Sequence, residues 1–98
     1  MIEHRSFTAF QQSTREQLLQ LLDSCGMQHI AGVGGERETY VTVYVPSVDL
    51  RAWIYDDEAQ FHIAGRQIIH ERPDYASIDD LQRAFLANLK KFLVEKQQ

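Results

Sequence analysis

The sequence is short of the features that stabilise a small fold without a large core. Its single cysteine, Cys25, excludes an internal disulfide, and a small secreted domain would usually carry several cysteines. The two prolines, Pro46 and Pro73, stand where turns are expected. No apolar run approaches the length of a membrane span, and the charged start over residues 1–5 is unlike a secretory signal. These absences predict a cytoplasmic protein with no membrane partner.

Positive charge is also scarce. The 14 acidic residues outnumber the 10 basic ones, which gives a formal net charge of −4. Non-specific nucleic-acid binding requires a basic surface, so no nucleic-acid partner is expected. Mimicry of nucleic acid by carboxylates is the weakest hypothesis, since the acidic residues cluster in expected turns and not along one ridge.

The length and composition are those of one globular unit. Ninety-eight residues, 44% of them hydrophobic, are enough for a single two-layer core and too few for two. The prediction is one α+β domain over residues 1–98.

A first helix is indicated near the start of the chain. Ser13 and Thr14 are each followed three positions later by a glutamate or glutamine, which is the capping-box spacing. A leucine-rich stripe follows, and Gly26 is a typical C-terminal stop. The pattern predicts a helix from about Thr14 to Cys25.

A second helix is indicated near the end of the chain. Ser77 and Asp80 have capping spacing, and apolar residues then recur three and four positions apart. The pattern predicts a helix from about Ile78 to Glu95.

Between the helices the apolar period changes to two, which is typical of strands. Central strands are predicted over Thr39–Val45, Leu50–Tyr55 and Gln60–Ala64, with flanking strands over Gln28–Val33, Gln67–Glu71 and Glu3–Phe10. The fold class is therefore α+β: a four- or five-stranded antiparallel meander sheet with two helices, order β-α-β-β-β-β-α, in two layers.

Two predicted loops fix the register of the central strands. A loop over Pro46–Asp49 pairs Val45 with Leu50, and a loop over Asp56–Ala59 sets Trp53 opposite His62. Both hairpins assign the same residues to the core: Val41, Val43, Val45, Ala52, Ile54, Phe61 and Ile63.

The outer hairpins are less closely specified. Gly34-Gly35 reads as a two-residue hairpin turn. The loop at Gly65-Arg66 has two or three residues, and this length decides the direction of His70. With three residues, His62 and His70 could approach each other.

The second face of the predicted sheet is rich in polar-tipped aromatic residues, which anchor many protein interfaces. It gathers the candidate partner-binding residues Tyr40, Tyr44, Arg51, Trp53, Tyr55 and His62. The face could dock a protein partner or a second copy of the chain. Alternatively, a helix of this chain could cover it, or its cross-strand pairs could simply stabilise the sheet.

No catalytic or metal-binding constellation is evident. His4, His29, His62 and His70 lack metal-ligand spacing, and Asp56-Asp57-Glu58 lacks the rest of a calcium loop. No cofactor is predicted, and catalysis is the minority hypothesis. The function expected is a non-catalytic protein-interaction module, possibly homodimeric. The alternative is a small-ligand-binding protein or an enzyme with a pocket near Trp53, His62 and Arg51.

Overall fold

The structure, a computed structural model, describes residues 7–35 and 39–97. One helix precedes and one follows the five strands in sequence. The strands form an antiparallel sheet in which they lie side by side in chain order. The elements are α1 (Ala9–Ser24), β1 (Ile30–Gly34), β2 (Tyr40–Val45), β3 (Leu50–Ile54), β4 (Glu58–Ile63), β5 (Arg66–Glu71) and α2 (Ile78–Gln97). The predicted α+β class, with two helices and an antiparallel meander, is confirmed.

The chain begins differently from the prediction, because α1 starts at Ala9 and not near Thr14. The Thr8 hydroxyl accepts a hydrogen bond from the Gln11 backbone N–H at 3.2 Å, and the Gln11 side chain accepts one from the Thr8 N–H at 2.9 Å. This reciprocal capping box outweighs the weak alternation that predicted a strand over Glu3–Phe10. The strand prediction is wrong over residues 7–10, and residues 3–6 lie outside the described part of the chain.

Gln11 also joins α1 to the sheet. Its side-chain amide is buried and donates to the Thr39 carbonyl at 2.8 Å and to the Ile54 carbonyl at 3.2 Å. These bonds satisfy backbone groups at the start of β2 and the end of β3, where the ladder itself stops. One residue therefore caps the helix and fixes its position over two strands.

The second helix starts at Ile78 as predicted and ends at Gln97. The Ser77 hydroxyl accepts a hydrogen bond from the Asp80 backbone N–H at 3.1 Å, as the spacing indicated. Gln82 of this helix donates to the hydroxyls of Ser13 and Thr14, at 3.1 and 2.9 Å. The residues predicted to cap α1 thus help to join the two helices.

Both helices pack on one face of the sheet, where the core forms. All seven predicted core residues are buried there, together with Leu50 and Ala59. The helices contribute Phe10, Leu18, Leu22, Leu81, Phe85, Leu89 and Leu93. The two-layer arrangement is accordingly built around a single apolar cluster.

The hairpin between β2 and β3 has the predicted register, and the next hairpin does not. Val45 pairs with Leu50, as expected from the loop over Pro46–Asp49. In the β3–β4 hairpin, however, Trp53 pairs with Gln60 and not with His62. The Tyr55 N–H donates to the Glu58 carbonyl at 2.8 Å, which closes a shorter turn than the one predicted. A shift of two positions leaves every side chain on its predicted face, so the core assignment survives the error.

The last hairpin turns through two residues, Ala64 and Gly65, both with positive φ. This is the backbone required by a tight turn that matches the twist of the strands. The turn pairs Ile63 with Arg66, and the resulting register buries His70 opposite Ala59.

The first hairpin is longer than predicted. Gly34 lies within β1 and pairs with Tyr40, so the connection spans residues 35–39, of which 36–38 lie outside the described residues. The prediction of a two-residue turn at Gly34-Gly35 is therefore wrong. The Tyr40 ring covers Gly34 so closely that a Cβ there would lie 2.7 Å from it.

Candidate interaction surface

The face of the sheet opposite the helices is the candidate interaction surface, called here the open face. Within residues 7–35 and 39–97, no helix packs on it. It presents the six predicted partner-binding residues: Tyr40, Tyr44, Arg51, Trp53, Tyr55 and His62. Arg51 is exposed and the other five are half-buried, as expected of side chains that are shielded mainly by one another.

The aromatic half of the open face lies on β2 and β3. Tyr44 pairs with Arg51, and Thr42 pairs with Trp53. Beyond the last of these pairs, the rings of Tyr40 and Tyr55 lie 5.0 Å apart at an interplanar angle of 42°. Cross-strand aromatic contacts of this kind hold the rings in place before any partner binds.

Arg51 adds positive charge to the aromatic half. Its guanidinium carbon lies 4.2 Å from the centroid of the Tyr44 ring, within the range of a cation–π contact. Since the chain has a net charge of −4, this guanidinium is a local positive charge beside the aromatic rings and not part of a general basic surface.

The polar half of the open face lies on β4 and β5. His62 faces Arg51 on one side and Gln67 on the other. Gln60 donates to the Glu58 carboxylate at 3.3 Å and accepts a hydrogen bond from Gln67. These side chains offer hydrogen-bond donors and acceptors beside the apolar rings.

A hollow of about 290 Å³ lies beside the aromatic half, at Gly32 of β1. Thr42 lies beside this glycine, and a Cβ at Gly32 would lie 3.1 Å from its hydroxyl oxygen. The side chains that border the hollow belong to Ile30, Thr42, Tyr44, Arg51 and Trp53. Of the three residues named in the alternative hypothesis, Arg51 and Trp53 line the hollow and His62 does not, so its two polar groups do not converge there.

The described histidines lie in separate environments. His62 is on the open face, whereas His70 is in the core, because the last turn has two residues and the three-residue loop that would bring the two rings together does not form. His29 Nδ1 is 3.1 Å from the Met27 carbonyl oxygen, and its Nε2 is 3.9 Å from an exposed Asp23 carboxylate. His4 lies outside the described residues. In the described parts of the chain, no three His, Cys, Asp or Glu residues form a group able to hold a metal ion.

The His70 ring is fixed by two hydrogen bonds. Its Nδ1 lies 3.2 Å from the Ala59 carbonyl oxygen and therefore carries the proton, while its Nε2 accepts from the Asn88 amide at 2.9 Å. Burial lowers the pKa of His70 below 6.5, and the bond to the Ala59 carbonyl partly opposes this shift. The ring is a neutral part of the core and is not available to a partner.

The exposure of β1 was not predicted from the sequence. Ile30 and Val33 are 63% and 65% exposed, and they lie on opposite faces of the sheet because Ile30 pairs with Tyr44 and Val33 with Val41. A meander places its first strand at an edge, and β1 contains no charged residue. Those two signals together could have indicated an unprotected edge.

A larger hollow of about 520 Å³ lies beside the end of α1. It is lined by Asp23, Gly26, Met27, Gln28, His29, Ile30 and Pro46. Of the described residues, only Asp23 and His29 contribute titratable groups to it, and their side chains lie 3.9 Å apart, so few polar groups converge there.

Neither of the two helices, as far as they are described, is long and apolar enough to cross a membrane. Comparison with known proteins gave no matching family model, no matching curated protein and no matching solved structure. Function must therefore be inferred from the chemistry of the surface.

Proposed function

We propose that this domain is a non-catalytic, cytoplasmic protein-interaction module whose open face binds a protein partner. One observation carries the proposal: four polar-tipped aromatic residues share the sheet face that no described helix covers. Tyrosine, tryptophan and arginine are the residues most enriched where binding energy concentrates at protein interfaces. Arg51 stands among the aromatic residues on this face.

The two halves of the open face suggest how such a partner is recognised. The rings of Tyr44 and Trp53 provide apolar contact area at a small entropic cost, because neighbouring strands already restrain them. Arg51 favours a carboxylate or a backbone carbonyl on the partner, and the amides on β4 and β5 extend the hydrogen bonding. The matching partner surface has an apolar centre and acceptor groups at its border.

The test is affinity capture from the source cell with wild type, Trp53→Ala and Tyr44→Ala. We expect a protein that wild type retains and that each variant binds at least about tenfold more weakly, in line with the loss of an interface anchor. Val94→Ala is the matched control, because this 39% exposed apolar residue lies on α2, in the opposite layer. Binding that responds equally to all three substitutions, or to none, would contradict a role for the open face.

The hollow at Gly32 favours a second candidate, a small-ligand-binding protein. Arg51 and Trp53 border it, and a volume of about 290 Å³ would admit a small flat molecule with one acidic group. Native mass spectrometry of protein purified from its source should then show an adduct that Arg51→Ala loses. This candidate ranks second because, among the residues that the structure describes, Arg51 alone brings a charge to the hollow.

A further inference from the structure

The outer edge of β1 is an exposed, uncharged strand edge. No described strand pairs with it, because β1 ends the sheet on that side. Its residues run Ile-Ala-Gly-Val-Gly, with Ile30 exposed toward the open face and Val33 exposed toward the helix layer. Such an edge offers backbone hydrogen-bonding groups together with apolar side chains on both faces.

The opposite edge of the sheet is different. The β5 strand carries Arg66 at its start and Glu71 at its end, and the Arg66 guanidinium lies 5.4 Å from the Phe92 ring centroid. Charged residues on an edge strand discourage a further strand from pairing with it. The β1 edge therefore lacks the charged residues that protect the β5 edge.

We propose that a second copy of this chain pairs antiparallel with β1 about a two-fold axis at Gly32. In that register Ile30 faces Gly34 of the other copy, Ala31 faces Val33, and Gly32 faces itself. Each large side chain meets a small residue, so both strands can approach without crowding. The strand is self-complementary, which a two-fold interface requires.

Charge supports a second copy as the occupant. Residues near a two-fold axis meet their own equivalents, so any charged residue there would face a like charge. Two molecules with a net charge of −4 repel each other, and β1 brings no charged residue to the axis. The β1 edge is thus where two copies of this acidic chain can approach with little local repulsion.

The dimer would join two open faces into one. Antiparallel pairing about an axis perpendicular to the sheet keeps both helix layers on one side and both open faces on the other. The hollow at Gly32 then adjoins its equivalent across the axis, and the aromatic half of one copy continues into that of the other. This inference rests on the proposed interaction function and adds that the binding surface is bivalent.

The interface is small. Pairing five residues a side buries less than the roughly 1,200 Å² of a standard interface, so we expect a dissociation constant on the order of tens of micromolar. Because the contact is uncharged and the chains repel, added salt should leave association unchanged or strengthen it slightly.

Sedimentation equilibrium on the whole chain tests the proposal. Between about 5 and 200 µM, a range that spans the expected affinity, the weight-average mass should rise from 11.4 kDa toward twice that value. Ile30→Lys and Val33→Lys should each weaken association at least about tenfold, because both side chains lie at the strand seam. Both positions are exposed in the single chain, so these variants should fold.

Two controls separate the edge from the open face. Ile69→Lys places the same charge on the 47% exposed residue of the other edge strand and should leave association unchanged. Trp53→Ala should leave it nearly unchanged as well. If the copies instead met face to face, Ile30→Lys and Trp53→Ala would weaken association while Val33→Lys would not.

The outcomes distinguish this inference from the proposed function. A wild type that stays monomeric at 200 µM, or a dimer that tolerates Val33→Lys, would overturn edge pairing. The capture experiment with Trp53→Ala tests the open face independently of β1, so edge pairing can fail while the interaction function stands. Loss of association in both lysine variants, with retention in Ile69→Lys and Trp53→Ala, supports the proposal.

Discussion

The two faces of the sheet carry side chains from the same strands in strict alternation, yet the described helices cover only one of them. On the helix side, residues such as Val43 and Phe61 are fully buried among α1 and α2. On the open side, Thr42 and Trp53 remain half-buried and are shielded chiefly by their neighbours in the sheet. The first face is held by packing against another layer and the second by cross-strand contacts. Stability therefore depends mainly on one face, and the other can be specialised for binding.

The largest expected effect sharpens this contrast. Phe61→Ala should lower the free energy of unfolding by about 3–5 kcal/mol, because it leaves a cavity beneath three aromatic rings. Those rings belong to His70, Phe85 and Phe92, with centroids 5.7 to 6.2 Å from that of Phe61. Trp53→Ala, from the open face, should cost no more than about 2 kcal/mol despite the larger side chain removed.

Urea unfolding followed by circular dichroism measures both substitutions, since it does not depend on tryptophan fluorescence. Equal losses would break the contrast, because they would show that Trp53 contributes to stability as a core residue does. A stable Trp53→Ala variant is also what the binding experiments require.

A smaller effect is expected at Gln11, which connects the helix layer to the sheet. Gln11→Ala should cost about 1–3 kcal/mol, because it leaves the Ile54 and Thr39 carbonyls without their donor and removes half of the capping box. Gln20→Ala is the matched control, since Gln20 is an exposed residue of the same helix. Thermal unfolding of the two variants makes the comparison. Equal midpoints would show that the bonds of Gln11 contribute nothing net.

The contrast between the buried face and the open face could itself be predicted from the sequence. Alternation of apolar residues determines which face is buried, so the core set and the open-face set were both predictable. Alternation is unchanged by a shift of two positions, so it cannot determine the register. For this reason His62 was predicted opposite Trp53, whereas in the structure it lies opposite Arg51. That register depends on where the acidic turn closes, and the bond from Tyr55 to Glu58 decides it.

The start of α1 and the hollow at Gly32 were not predictable for a different reason. Thr8 and Gln11 have the same capping-box spacing as the later candidates Ser13 and Thr14, and the contacts of Gln11 with Thr39 and Ile54, which favour the earlier start, leave no local pattern in the sequence. The hollow exists because Gly32 has no side chain beside Thr42 and its larger neighbours, which depends on the β1–β2 register.

The smallest effect concerns pH and the buried His70. The unfolded chain binds a proton near pH 6.5, whereas the folded chain, with the lowered pKa of His70, binds it only at lower pH. The unfolded state thus holds more protons in this window, so stability is complete above about pH 6.5 and falls as pH decreases through the folded pKa. The loss should be smaller than that of Gln11→Ala, because the ring keeps its packing and its bond to Ala59.

Protonation at Nε2 would set a donor against the Asn88 NH2 group, and the described aromatic rings that pack on His70 carry no negative charge to compensate. These rings belong to Phe61, Tyr75 and Phe85. His70→Gln keeps a donor and an acceptor but cannot titrate, so it should flatten the fall in unfolding free energy between about pH 7.5 and 5. His62→Gln removes a histidine from the open face and leaves His70 in place, so it should retain the fall. If the unfolding free energies of wild type and His70→Gln fall in parallel with pH, the buried imidazole is not the group that couples folding to pH. The histidines of the buried face and the open face would then contribute equally little to the pH dependence of stability.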